Sequence, residues 1–154
     1  MRKMARNPKH LKYQIKLSWD GKSGGEVDFK GSTLRLDTPV DFGGGGRYPC
    51  PDELFFSAVG GCLLTTFLYF QRKLSLCLEG LQVTIGGDVE LVGPEGYRIT
   101  RIKALLHVQT IEEEKAKAKE CAALTRDFCN ITRTLERAIP TEISAEVICV
   151  KKAI

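Results

Sequence analysis

Residues Leu54 to Phe70 read LFFSAVGGCLLTTFLYF, seventeen positions without a charge, with Cys62 directly after Gly60 and Gly61. Pro51, Asp52 and Glu53 precede the run. Proline suits the first helical position and acids suit the positive end of a helix dipole, so a helix is predicted from there to about Lys73. A bilayer span needs about 20 predominantly apolar residues. This run is shorter and holds two glycines, a serine and two threonines. It is therefore read as the central helix of a soluble protein, buried on every side. A thiol in such surroundings is either inert filler or a nucleophile kept in a dry pocket.

Upstream, Tyr13, Ile15, Leu17 and Trp19 alternate with polar residues, the pattern of a half-buried strand. Two short strands, Glu26–Lys30 and Thr33–Asp37, follow across Gly31-Ser32, giving an antiparallel meander. The segment TPVDFGGGGRYPCP then reads as a mobile loop carrying Arg47 and Tyr48. It lacks the Lys-Ser/Thr ending of a phosphate-cradling loop. Downstream, strands are predicted near Glu79–Leu91 and Arg98–Val108, with a turn at Gly93-Pro94-Glu95-Gly96. Thr110 and Glu113 form a capping box for a second long helix. Its apolar stripe is Cys121, Leu124, Phe128, Ile131, Leu135 and Ala138, with a possible bend near Asp127–Asn130, and Pro140 ends it. A last strand, Glu142–Val150, turns Ile143, Ala145, Val147 and Cys149 to one side. The order is that of an α+β fold.

The 154 residues are read as one domain, 1–154, with a flexible basic tail over 1–10. The net charge of +4 sits at the start: residues 1–30 carry eight basic and three acidic side chains, and the remainder is balanced. No basic patch is interleaved with aromatics, so nucleic acid is not an expected partner. No apolar run follows the opening MRKMARNPKH, so no secretion signal or membrane partner is expected and the location read is cytoplasmic. Six cysteines in that compartment are expected reduced. Their spacings do not match a zinc site, and neither a cofactor nor a metal is expected.

Cys149 and Cys121 lie on apolar faces and read as small core residues. Cys77 is assigned no chemistry, and Cys50 stands between two prolines. Cys129 is one position off the second helix's stripe, turned by about 100° toward its edge, where a partner can reach it.

The segments PDELFFSAVGGC and DFCNITRTL resemble the two cysteine segments of the OsmC/Ohr family, and the order of elements matches along nearly the whole chain. The resemblance implies antiparallel strands wrapped around a buried central helix, an intertwined homodimer, and a thiol peroxidase acting on organic hydroperoxides. Cys62 would be the peroxidatic thiol, Cys129 the resolving one, and an external dithiol the reductant. The family's activating glutamate falls on Asp52, not Glu53. Its arginine has Arg47 as first candidate and Arg35 as second. Asn130 stands where the family often has proline.

The residues set a requirement of their own. Burial in an apolar site raises a cysteine's pKa and would silence Cys62, so a guanidinium held by a carboxylate is needed to keep it ionised. Ten residues of straight helix put about 15 Å between Asp52 and Cys62. Either the helix breaks or a second subunit completes the site. The wall of Phe55, Phe56, Phe67, Tyr69 and Phe70 suits alkyl or lipid hydroperoxides, although core packing accounts for several of these rings. Two other readings stay open: a non-catalytic protein binding an apolar ligand in the same pocket, and a redox sensor. A hydrolase is disfavoured, since neither His10 nor His107 is placed near Cys62 by sequence.

Overall fold

The computed structural model describes residues 9–151. Most of the expected basic tail, residues 1–8, lies outside them. The chain forms two compact units, one ending at Pro51 and the other beginning at Asp52.

The first unit is the expected meander. Strands β1 (Lys16–Trp19), β2 (Gly24–Phe29) and β3 (Ser32–Asp37) pair antiparallel in that order, with Glu26 opposite Arg35. Gly31 sits at φ +87°, a conformation a side chain would disfavour, and turns β2 into β3. The half-buried strand expected over Tyr13–Trp19 is corrected: pairing begins at Lys16, and Trp19 is 77% exposed with Tyr13, Ile15 and Leu17 also exposed. Alternation defines an apolar face, but a three-stranded sheet cannot cover its own face.

The glycine segment is also corrected. It is a hydrogen-bonded turn, not an unpacked loop. Val40–Phe42 form one turn of 3-10 helix. The Gly43 amide donates to the Val40 carbonyl, Gly44 to Pro39 and Gly46 to Thr38, at 2.9–3.1 Å. A Cβ on Gly44 would overlap the Thr38 carbonyl oxygen. Gly44 thus serves close approach, while Gly43 and Gly46 take positive φ, +79° and +59°.

The second unit is a sheet with helices on one face. Strands β4 (Leu78–Leu91), β5 (Tyr97–Thr110) and β6 (Thr141–Cys149) lie in that order. β4 and β5 form an antiparallel hairpin, but β5 and β6 run parallel, Ile102 opposite Thr141 through Thr110 opposite Cys149. The all-antiparallel expectation is thereby corrected. A helical crossover separates β5 from β6, and such a crossover is what a parallel pair needs. Along β5 the residues Ile102, Ala104, Leu106, Val108 and Thr110 are buried, the period-two signature of a strand covered on one side.

Helix α1 (Pro51–Lys73) runs unbroken through Gly60-Gly61. By length and composition it is apolar enough to cross a bilayer, a limit the seventeen-residue run fell short of. Its inner face, Val59, Gly60, Leu63 and Phe67, is buried. Gly60 permits close approach: a Cβ there would lie 3.0 Å from Cγ2 of Ile85 on β4. The expectation of burial on every side does not hold within the chain, because Ser57, Ala58, Gly61, Thr65 and Tyr69 are exposed.

The second helical segment departs from its expected start and stripe. Thr110 caps nothing; it ends β5, buried, and its hydroxyl donates to the Cys77 carbonyl at 2.6 Å. A 3-10 turn, Glu112–Glu114, leads into α2 (Lys115–Phe128). The buried face is Ala118, Cys121, Ala122 and Thr125, continuing to Cys129 and Thr132, while Phe128 is 64% exposed and touches Phe70. Small residues make this face because Phe67 of α1 fills the space opposite. The bend foreseen near Asp127–Asn130 is real: Cys129 takes an extended conformation (φ −66°, ψ 113°) between α2 and α3 (Asn130–Leu135).

Candidate active site

Cys62 sits one residue before the buried Leu63 on α1, so helical rotation brings it to the margin of the inner face. Cys129 arrives from the other side, at the break between α2 and α3. The two sulfurs lie 3.2 Å apart, with the Cys129 S–H donating to Cys62 Sγ. A disulfide is about 2.05 Å long, so bonding needs an approach of only about 1 Å. Around them pack Leu63, Val83, Ile85, Ala104, Ile131 and Ile143. The periodic reading that put Cys129 at a stripe edge is corrected, because Cys129 is wholly buried and Cys62 is the partly exposed member.

Burial pushes the Cys62 thiol up, since a thiolate loses hydration there. The Ile131 amide pulls the other way, and the neighbouring Cys129 thiol adds to the rise. The Thr66 hydroxyl, one helical turn after Cys62, favours the thiolate. Cys62 itself donates to Asn130 Oδ1 at 3.0 Å. Sequence reading missed Thr66 and Asn130 as contacts of the sulfur. The i,i+4 spacing was a usable signal for Thr66. For Asn130 the only signal was its adjacency to Cys129.

The other cysteines are placed differently. Cys121 is buried against α1, its thiol donating to the Phe67 carbonyl at 3.4 Å, and desolvation pushes its pKa up to about 12. Cys149 bonds the Glu112 carboxylate, which pushes its thiol up. Cys77 lies 3.8 Å from Glu79 Oε1 and is exposed. Cys50 is half-buried.

Asp52 is exposed in the first turn of α1. Since the helix is continuous, ten residues still separate Asp52 from Cys62 by about 15 Å of rise. In the first unit, Arg47 is held by two carboxylates that sequence reading did not pair with it: Nε donates to Asp37 at 2.7 Å, and an Nη to Asp20 at 2.7 Å. Asp37 is wholly buried and also accepts from the Arg47 amide, the Ser23 hydroxyl and the Thr38 amide. These donors hold its carboxyl far below the usual carboxylate range, the Arg47 guanidinium first among them. Arg35 sits on the exposed strand face expected of it, bonded to Glu26 at 2.9 Å and to the Tyr48 hydroxyl at 3.1 Å. Among the described residues no group of three His, Cys, Asp or Glu is disposed to hold a metal ion.

Comparison with known proteins bears on this arrangement. The fold is similar to that of an OsmC-like protein from Mycoplasma pneumoniae (17% identity, TM-score 0.76, covering 92% of this chain and 99% of that one). It is also similar to an organic hydroperoxide resistance protein OsmC from Legionella pneumophila (18% identity, TM-score 0.67, 90% and 100%). A third likeness is to a Vibrio cholerae putative organic hydroperoxide resistance protein, with captopril bound in one of its active sites (19% identity, TM-score 0.66, 91% and 96%). A comparison with curated protein sequences finds no match. The model of the OsmC-like protein family matches residues 43–144, a stretch that contains α1, both site cysteines and the whole of β4 and β5. The chain belongs to the OsmC-like protein family.

Proposed function

We propose that the chain is a thiol peroxidase that reduces organic hydroperoxides to alcohols, with Cys62 as attacking thiol and Cys129 as resolving thiol. The observation that carries this reading is the 3.2 Å between the two sulfurs, combined with their unequal exposure. A peroxide arriving from solvent meets Cys62 first, and Cys129 waits behind it. The family, and relatives named for organic hydroperoxide resistance, support the substrate class.

The Cys62 thiolate attacks the outer peroxide oxygen. The O–O bond breaks, and the alkoxide takes a proton and leaves as alcohol. Cys62 is left as a sulfenic acid. Cys129 attacks its sulfur, water departs, and the disulfide closes before further oxidation. An external dithiol supplies the two electrons that restore both thiols. Arg47 is the proposed cation for the thiolate, and its double hold by Asp37 and Asp20 suits a guanidinium that must keep one orientation. Arg35 is the second candidate.

A homodimer belongs to the same reading. The unbroken α1 leaves Asp52 too far along the helix to serve its own Cys62, so the proposed role falls to Asp52 of a second copy. The exposed apolar residues of the first strand and the uncovered side of α1 are the surfaces a second copy would cover. A stable monomer in sedimentation at micromolar concentration sinks the dimer.

The activity is tested with one equivalent of cumene hydroperoxide. The expected result is loss of two hydrogens from the protein mass and a disulfide-linked Cys62–Cys129 peptide. An unchanged mass, or oxidation confined to Cys50, removes the enzyme and leaves an apolar-ligand protein. Oxidation followed by poor turnover with every small dithiol points to a redox sensor.

A further inference from the structure

The contact between Cys62 and Asn130 goes beyond the two-thiol scheme. Asn130 is the first residue of α3, placed there because the helix breaks at Cys129. Its backbone carbonyl anchors the short helix by accepting from the Thr134 hydroxyl at 2.8 Å. Its side-chain oxygen accepts the Cys62 S–H at 3.0 Å. A primary amide carries an acceptor at one end and two donors at the other, interchanged by a half-turn about Cβ–Cγ. No carboxylate, hydrocarbon or proline at this position offers both.

We propose that Asn130 is a catalytic residue whose side-chain amide accepts the Cys62 S–H in the resting thiol and turns to donate Nδ2–H to Cys62 once the sulfur is ionised. The idea deepens the peroxidase reading and rests on Cys62 being the reacting thiol.

Cys62 already receives the Cys129 S–H and faces the Ile131 amide and the Thr66 hydroxyl. In its present orientation Asn130 accepts the Cys62 S–H and so holds the thiol form, beside the burial and the Cys129 thiol that also oppose ionisation. The apolar side chains packed around the pair are Val83 and Ile85 from β4, Ala104 from β5, Ile131 from α3 and Ile143 from β6. A hydrogen bond to an ionised sulfur is stronger than one from a weak S–H donor. A turning amide therefore favours the thiolate overall, whereas a fixed acceptor favours the thiol. The proton leaves to solvent. No redox change accompanies the step.

The two arrangements predict opposite signs. The test is the pH profile of Cys62 alkylation by iodoacetamide, read on its own peptide by mass spectrometry. It needs no peroxide, so it stands whether or not the protein turns out to be a peroxidase. With a turning amide, Asn130→Ala removes the thiolate's donor, moves the profile to higher pH, and slows alkylation at pH 7 by roughly threefold to tenfold. Asn130→Asp leaves an acceptor only and adds a negative charge, so its profile moves further the same way. Aspartate suits the first turn of a helix, so this variant keeps the fold if alanine does not. An Asn130→Ala profile that is unmoved or shifted to lower pH overturns the proposal. So does an Asn130→Asp profile at the wild-type position.

Discussion

Cys62 and Cys129, 67 positions apart in the chain, present their sulfurs to each other at 3.2 Å, one partly exposed and the other sealed. The asymmetry assigns an order. In the proposed reaction a reagent from solvent reaches Cys62 first, and Cys62 hands its oxidation inward to Cys129.

Cys129→Ser should therefore stop the reaction at its first product. After one equivalent of cumene hydroperoxide the variant gains one oxygen at Cys62, and with excess peroxide a second, as the sulfenic acid climbs to sulfinic. Cys62→Ser should gain nothing at Cys129. Intact-mass spectra decide the matter, and oxygen appearing on Cys129 in the Cys62→Ser protein would reverse the roles.

Burial raises the Cys62 pKa, so at neutral pH the isolated environment favours the uncharged, unreactive thiol. The guanidinium proposed for the site would move ionisation back down. Arg47→Met should slow peroxide reduction at pH 7 by about tenfold for each unit the thiol rises, and the gap should close as pH passes the raised value. Stopped-flow rates from pH 6 to 10 test this. An equal loss at every pH denies Arg47 the role, and the closing pattern in Arg35→Met would transfer it to Arg35.

The buried Asp37 carboxylate makes a separate, structural prediction. Its folded pKa lies below the unfolded one, so its contribution to stability is full above the ordinary aspartate range of about 4 and is lost as pH falls toward the depressed value. Asp37→Asn should be clearly less stable than wild type at pH 7, and the difference in urea midpoint should shrink steadily below about pH 4. A difference that does not change with pH would place the cost in packing rather than charge.

Leu63, fully buried beside Cys62, holds the inner face of α1 against the sheet. Leu63→Ala should cost about 2–5 kcal/mol in urea unfolding. Because the same cavity borders the sulfur pair, disulfide closure should slow as well. Stability lost with closure unchanged would show that the approach of the two sulfurs does not depend on Leu63.

Local patterns were legible along most of the chain. The start of α1 followed from Pro51 with its two acids, and the uncharged run carried the helix to about Lys73. The β4–β5 hairpin followed from two strand-like runs joined by the turn residues Gly93-Pro94-Glu95-Gly96. The glycine turn was misread because composition reports freedom, while the buried Asp37 and the Thr38 carbonyl impose a shape that only glycine fits. Thr110 was misread as a cap because its spacing to Glu113 is right, yet its hydroxyl is taken by Cys77 across the sheet. The stripe of the second helix was misread because large residues were assumed to face inward. With Phe67 filling the interior, the small residues do.

What the amino-acid order settled unaided was the kind and sequence of elements, and the embedding of Cys62 in an apolar helix. Those depend on propensities and periods acting over a few neighbouring residues. The meeting of the sulfurs, the parallel entry of β6 and the hold of two aspartates on Arg47 were decided only by the folded chain. Each depends on how separate segments are rotated and set against one another, and no local period carries that information.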